Sequence, residues 1–120
     1  MNAGGSAVRA KAPPIGGRTS DVLKRARSRI QRGWTQGALR RERPFPLSLI
    51  FPPQYCALGA LLVDDVQMGP ALRRLNYAVS RIDRAATVES YNDAPRRKKR
   101  EVLALFDRAI ADAEAEEQRA

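Results

Sequence analysis

Gln36, Cys56 and Asp93 are the residues whose types and order could do covalent chemistry. An amide donor, then a thiol, then an orienting carboxylate is an order a thiol hydrolase could use. A thiol in the first turn of a helix would have its pKa lowered by the helix dipole. The proton acceptor is missing, however, because the 120 residues contain no histidine. The reading is therefore of a non-enzymatic chain in which Cys56 is a small buried hydrophobe. A single cysteine also rules out an intrachain disulfide. One thiol, no imidazole and no carboxylates at ligand spacing leave no expected metal site. No glycine-rich phosphate loop of the Walker or dinucleotide type occurs, so no cofactor is expected.

The second chemistry is the binding of anions. The formal net charge is +9, and the first 54 residues carry eleven Lys/Arg against only Asp21 and Glu42. Such a surplus implies an acidic partner, either nucleic acid or an acidic protein face. It also fits a plain basic protein from a GC-rich genome. Two clusters are candidate nucleic-acid-binding residues. Arg74, Tyr77, Arg81 and Arg84 share one side of an expected helix, and arginine interleaved with an aromatic is what single-strand binders present. The bland account of the same residues is a solvated face. Arg96, Arg97, Lys98, Lys99 and Arg100 form the other cluster. They crowd the expected positive end of the last helix, while Glu114, Glu116 and Glu117 sit at its negative end. Each such charge costs ~0.3–1 kcal/mol, so helix stability does not account for the run and a phosphate-rich partner would.

The elements that must position these residues are helical. The expected fold class is all-α: a compact bundle of about four helices with a proline-rich apolar loop and a disordered basic N-terminal arm. Residues 1–18 have no periodicity and are punctuated by Gly and Pro. Residues 19–118 make the single domain. A first helix over 20–32, capped by Thr19 or Ser20, carries Val22, Leu23, Ala26 and Ile30 on one face. Trp34 is expected to plug the core beside it with its N–H given a partner, and 38–43 to continue as a helical turn. Residues 44–53 hold four prolines, which forbid a regular helix. Phe45, Leu47, Leu49, Ile50 and Phe51 make this loop apolar, so it must cover the core or meet a partner. A short strand over 47–51 is the other option. The run 55–63 is read as the buried centre, in a helix over 54–66 that another helix approaches closely at Gly59. A third helix over 70–86 carries a core stripe of Leu72, Leu75, Val79 and Ile82. Residues 87–95 are read as a loop with Asp93 capping a last helix over 95–118.

Gly33-Trp34-x-Gln36-Gly37, Tyr55-Cys56-Ala57-Leu58-Gly59-Ala60, Asn92-Asp93 and the 102–110 pattern Val-Leu-x-Leu-Phe-Asp-x-Ala-Ile follow in that order. Together they resemble a small domain family of unknown function found in actinobacteria and their phages. The resemblance covers about residues 20–113 and implies a shared fold and host range but no mechanism. Tyr91 stands where the pattern has a tryptophan, and the 44–53 insertion and the 96–100 run are particular to this chain.

No stretch approaches the ~18 apolar residues of a membrane span, and the N-terminus has no apolar signal core. A cytoplasmic protein with no membrane partner is expected, its oligomeric state left open. Two functions remain. One is a small basic protein contacting nucleic acid through Arg/Lys surfaces. The other is a phage-encoded or accessory protein whose loop at 44–53 docks on a host or virion protein.

Overall fold

Val22, Leu23, Ala26 and Ile30 recur at helical spacing and lie on one face of helix α1 (Thr19–Arg32), each with no exposed surface. The computed structural model describes residues 17–64 and 67–119. The expected basic arm lies outside the described residues except for Gly17 and Arg18. Neither Thr19 nor Ser20 caps α1. The helix begins one residue earlier, and the Asp21 carboxylate accepts the Arg18 N–H at 3.3 Å.

Ser20 is buried for another reason: its N–H and hydroxyl donate to the Glu117 carboxylate at 3.1 and 2.7 Å. Glu117 belongs to helix α5 (Lys99–Arg119), which runs antiparallel to α1. Lys24 pairs with Glu114 and Arg27 with Asp107, both at 2.7 Å, and Lys99 Nζ donates to the Gln31 carbonyl at 2.6 Å. This ladder accounts for Lys99 of the 96–100 run, which helix stability alone was not expected to explain. The basic start of α5 lies beside the negative end of α1, and its acidic end lies beside the positive end of α1.

Three shorter helices complete the bundle: α2 (Ala57–Leu62), α3 (Met68–Ser80) and α4 (Val88–Asp93). The described residues thus hold five helices rather than about four, together with a two-stranded antiparallel ribbon. Strand β1 (Arg40–Arg41) pairs with β2 (Gln54–Tyr55), Arg40 opposite Tyr55. That ribbon replaces the helical turn expected over 38–43. It also takes Gln54 and Tyr55 out of the central helix, which starts after Cys56 instead of at 54. The 55–63 run is not buried all round: Ala57, Ala60 and Leu61 are in the core, Leu58 is half-buried, and Val63 is 51% exposed. Gly59 is needed for a close approach, but by a loop rather than a helix. A Cβ there would lie 1.8 Å from the Leu39 carbonyl oxygen.

α3 ends at Ser80, well short of 86, so Arg84 is off the helix, and Ile82 is exposed while Leu75 and Val79 are buried. α4 occupies the stretch expected as a loop. Thr87 caps it, its hydroxyl accepting the Ser90 N–H at 3.1 Å. Asp93 is therefore the last residue of α4 and not the cap of α5. Residues 47–49 form a 3-10 turn, Leu47–Leu49, in place of a strand. The core joins α1, α2, α3 and α5 through Leu23, Ile30, Leu61, Leu75, Val79, Val102 and Phe106. Among the described residues no helix is long and apolar enough to cross a membrane.

Candidate nucleic-acid interface

The motif residues meet at one buried amide. Asn92 has no exposed surface, and all four of its side-chain hydrogen-bonding positions are filled. Oδ1 accepts the Trp34 indole N–H at 2.8 Å and the Ala57 N–H at 3.0 Å. Nδ2 donates to the Thr35 carbonyl at 3.1 Å and to Asp93 Oδ1 at 2.8 Å. Gln36 Nε2 donates to the Asn92 and Ala94 carbonyls, and the Gly37 N–H donates to Asp93 Oδ1 at 3.0 Å. The indole is half-buried and its N–H is satisfied, as a core plug requires. These bonds tie the 33–37 segment, the start of α2 and the end of α4 together.

Cys56 flanks this knot as the N-cap of α2. Its Sγ accepts the Gly59 N–H at 3.3 Å, and only 5% of the residue is exposed. Burial pushes the Cys56 thiol up, the opposite direction from an activated nucleophile. Gln36 and Asp93 are both engaged in the hydrogen bonds above rather than aimed at the sulfur. No group of three or more His, Cys, Asp or Glu among the described residues is placed to hold a metal.

The basic surface is elsewhere. The outer side of α3 carries Arg73, Arg74 and Tyr77, and Arg81 and Arg84 follow in the turn beyond it. Tyr77 is 55% exposed, with the Arg81 guanidinium 5.7 Å from its ring centre. Arg74 leans on Glu116 of α5 at 3.6 Å. Arg73, Arg81 and Arg84 make no ion pair among the described residues. Residues of this surface line two clefts. One, of about 290 Å³, is formed by Thr19, Pro70, Arg73, Arg74 and Tyr77. The other, of about 440 Å³, lies between α3 and α5 and includes Arg81, Ile82, Glu101 and Arg108.

The 96–100 run divides in two. Arg97 lies over the Tyr91 ring at 3.7 Å, donates to the Tyr91 carbonyl at 2.7 Å and reaches Glu101 at 3.4 Å. Lys99 is held by Gln31. Both are thus used inside the molecule. Arg96, Lys98 and Arg100 form no side-chain hydrogen bond or ion pair among the described residues and stay available. The run also straddles the start of α5: only Lys99 and Arg100 are helical, and Arg96 sits at φ 66° in the turn. Sequence reasoning missed Arg73 and Arg108. Arg73 was legible in principle, since 73, 77 and 81 fall at successive four-residue steps. Arg108 joins the surface only through the packing of α5 on α3.

Residues 15–112 match the model of a family described as a family of unknown function (DUF6197). No curated protein and no solved structure matches the chain.

Proposed function

From the premise that the chain belongs to that family of unknown function, we propose that it is a non-enzymatic cytoplasmic protein that binds single-stranded nucleic acid along α3. The observation that carries the reading is Tyr77, exposed between arginines on a helix face with no acidic residue of its own. A base has a π-face whatever its identity, so an exposed ring flanked by guanidinium groups can stack one base while the cations follow the phosphates. Arg96, Lys98 and Arg100 extend the positive field toward the start of α5. The motif order supports an origin in actinobacteria or their phages.

The test is a fluorescence anisotropy titration of a labelled oligonucleotide against the wild type and Tyr77→Ala. Losing one stacked base weakens binding by about 1–3 kcal/mol. Unchanged affinity in the variant would count against the reading.

A second reading rests on the loop at 44–53. Phe45 is 78% exposed, Leu49 75% and Ile50 74%, an apolar tip with no cover among the described residues. Here the protein would be an accessory factor docking on another protein. Such docking is insensitive to salt, whereas phosphate binding weakens steeply with it.

A further inference from the structure

Ala78 of α3 and Ala104 of α5 both line the larger cleft, and neither side chain extends beyond Cβ. Its apolar lining is Ala78, Ala104, Leu105, Tyr91 and the exposed Ile82. Its volume of about 440 Å³ suits a small ligand. Two arginines, Arg81 just after α3 and Arg108 of α5, line it. Neither is ion-paired among the described residues. Two like charges brought to one cleft repel each other, and an anion between them removes that cost.

The only acid in the lining is Glu101. Its Oε1 is already engaged, accepting from the Lys98 N–H at 2.8 Å and from Arg97 at 3.4 Å. Oε2 has no protein partner among the described residues and can accept from a ligand. A carboxylate acceptor recognises the exocyclic amino group of a base, as in carboxylate contacts to cytosine. The apolar lining, Tyr91 included, suits the face of a planar ring.

We propose that this cleft is a nucleotide subsite. It takes one base bearing an amino group, with the attached phosphate between Arg81 and Arg108 and the amino group on Glu101. The proposal rests on the nucleic-acid reading above and names where one nucleotide of the strand is held. It favours cytosine, adenine or guanine over uracil, which has no amino group to offer.

The test uses the full chain and isothermal titration with cytidine 5′-monophosphate, uridine 5′-monophosphate, cytidine and inorganic phosphate. Cytidine monophosphate binds at least about tenfold tighter than cytidine or phosphate alone, because only it fills both halves of the cleft. Ala104→Leu fills the space from an exposed helix position, leaves the core intact and weakens that binding by about tenfold or more. Arg108→Gln does the same through the phosphate. Glu101→Gln, whose amide both donates and accepts, brings the cytidine and uridine nucleotides to within about twofold of each other. Circular dichroism melts confirm that each variant is folded. Cytidine monophosphate binding no tighter than phosphate, or unaffected by Ala104→Leu, overturns the subsite. An oligonucleotide titration separates the two ideas. Salt-dependent strand binding without any mononucleotide binding leaves the α3 face standing and removes the cleft. Mononucleotide binding without strand binding keeps the cleft and removes the strand.

Discussion

Trp34 and Asn92, 58 residues apart in the chain, are joined by an indole-to-amide hydrogen bond of 2.8 Å. The same Asn92 oxygen accepts the Ala57 N–H, so one amide fixes the entry to α2 and the segment after α1 at once. Asn92→Ala leaves the Trp34 and Ala57 donors and the Thr35 carbonyl without their partner. Each abandoned buried group costs ~1–3 kcal/mol, and the summed loss is expected at about 3–5 kcal/mol with a clear drop in Tm. Asn92→Asp keeps the shape but loses the donor to Thr35 and places a second carboxylate beside Asp93. It should be destabilised at neutral pH and partly recover on acidification. A thermal melt of either variant that overlays the wild type contradicts this assignment.

Arg96 occupies the left-handed region at φ 66°, where a residue with a Cβ is strained and glycine is not. Arg96→Gly is therefore expected to raise stability by about 0.5–1 kcal/mol. Chemical denaturation checks this, and a fall in midpoint would show that the Arg96 side chain contributes to the fold.

The rest of the basic run should separate by role. Lys99→Gln loses the bond to the Gln31 carbonyl, and Arg97→Gln loses the Tyr91 and Glu101 contacts. Each is expected to cost about 1 kcal/mol. Lys98→Gln and Arg100→Gln remove side chains without such partners and should leave Tm within about a degree. Equal effects at all four positions would erase the division.

Asp64 accepts from Arg29 at 2.8 Å and from Arg25 at 3.2 Å, with only 7% of its side chain exposed. Burial alone would push its carboxyl up, but the two guanidinium groups outweigh that and hold it below the usual carboxylate value. A lowered folded pKa stabilises the fold above the unfolded value of ~3.9 and withdraws that stability as pH falls through the folded one. Asp64→Asn should cost about 2 kcal/mol at pH 7 and much less near pH 2. A stability difference independent of pH would exclude this origin.

The parts of the fold that could be read from sequence are those with long apolar stripes. α1 and α5 were placed because Val22 to Ile30 and Val102 to Ala113 repeat at helical spacing. The 55–63 run misled for the opposite reason: an apolar stretch with no polar residue inside carries no periodicity, so it hid that Leu62 and Val63 face outward. α4 was hidden because Asn92 and Asp93 have turn-like composition, and their helix is opened by the Thr87–Ser90 cap. The Asn92 knot is invisible to any local pattern, since all its partners but Asp93 lie 35 to 58 positions away. At the candidate interface the helical spacing of Arg74, Tyr77 and Arg81 was legible. Which cations of the 96–100 run are spent on the fold depended on the antiparallel ladder between α1 and α5.

The cations of α3 and of the turn after it are expected to hold phosphates. Arg73, Arg81 and Arg84 are exposed and unpaired among the described residues, so changing all three to Gln should leave Tm nearly unchanged. The most direct measurement is the salt dependence of oligonucleotide affinity for the wild type and this triple variant, read by fluorescence anisotropy. Each phosphate contact on a single strand contributes ~0.7 to the slope of log affinity against log salt. The expected slope is about two units shallower in the variant, with weaker binding at low salt. Identical slopes for the two proteins, or a wild type whose affinity does not respond to salt, would contradict it.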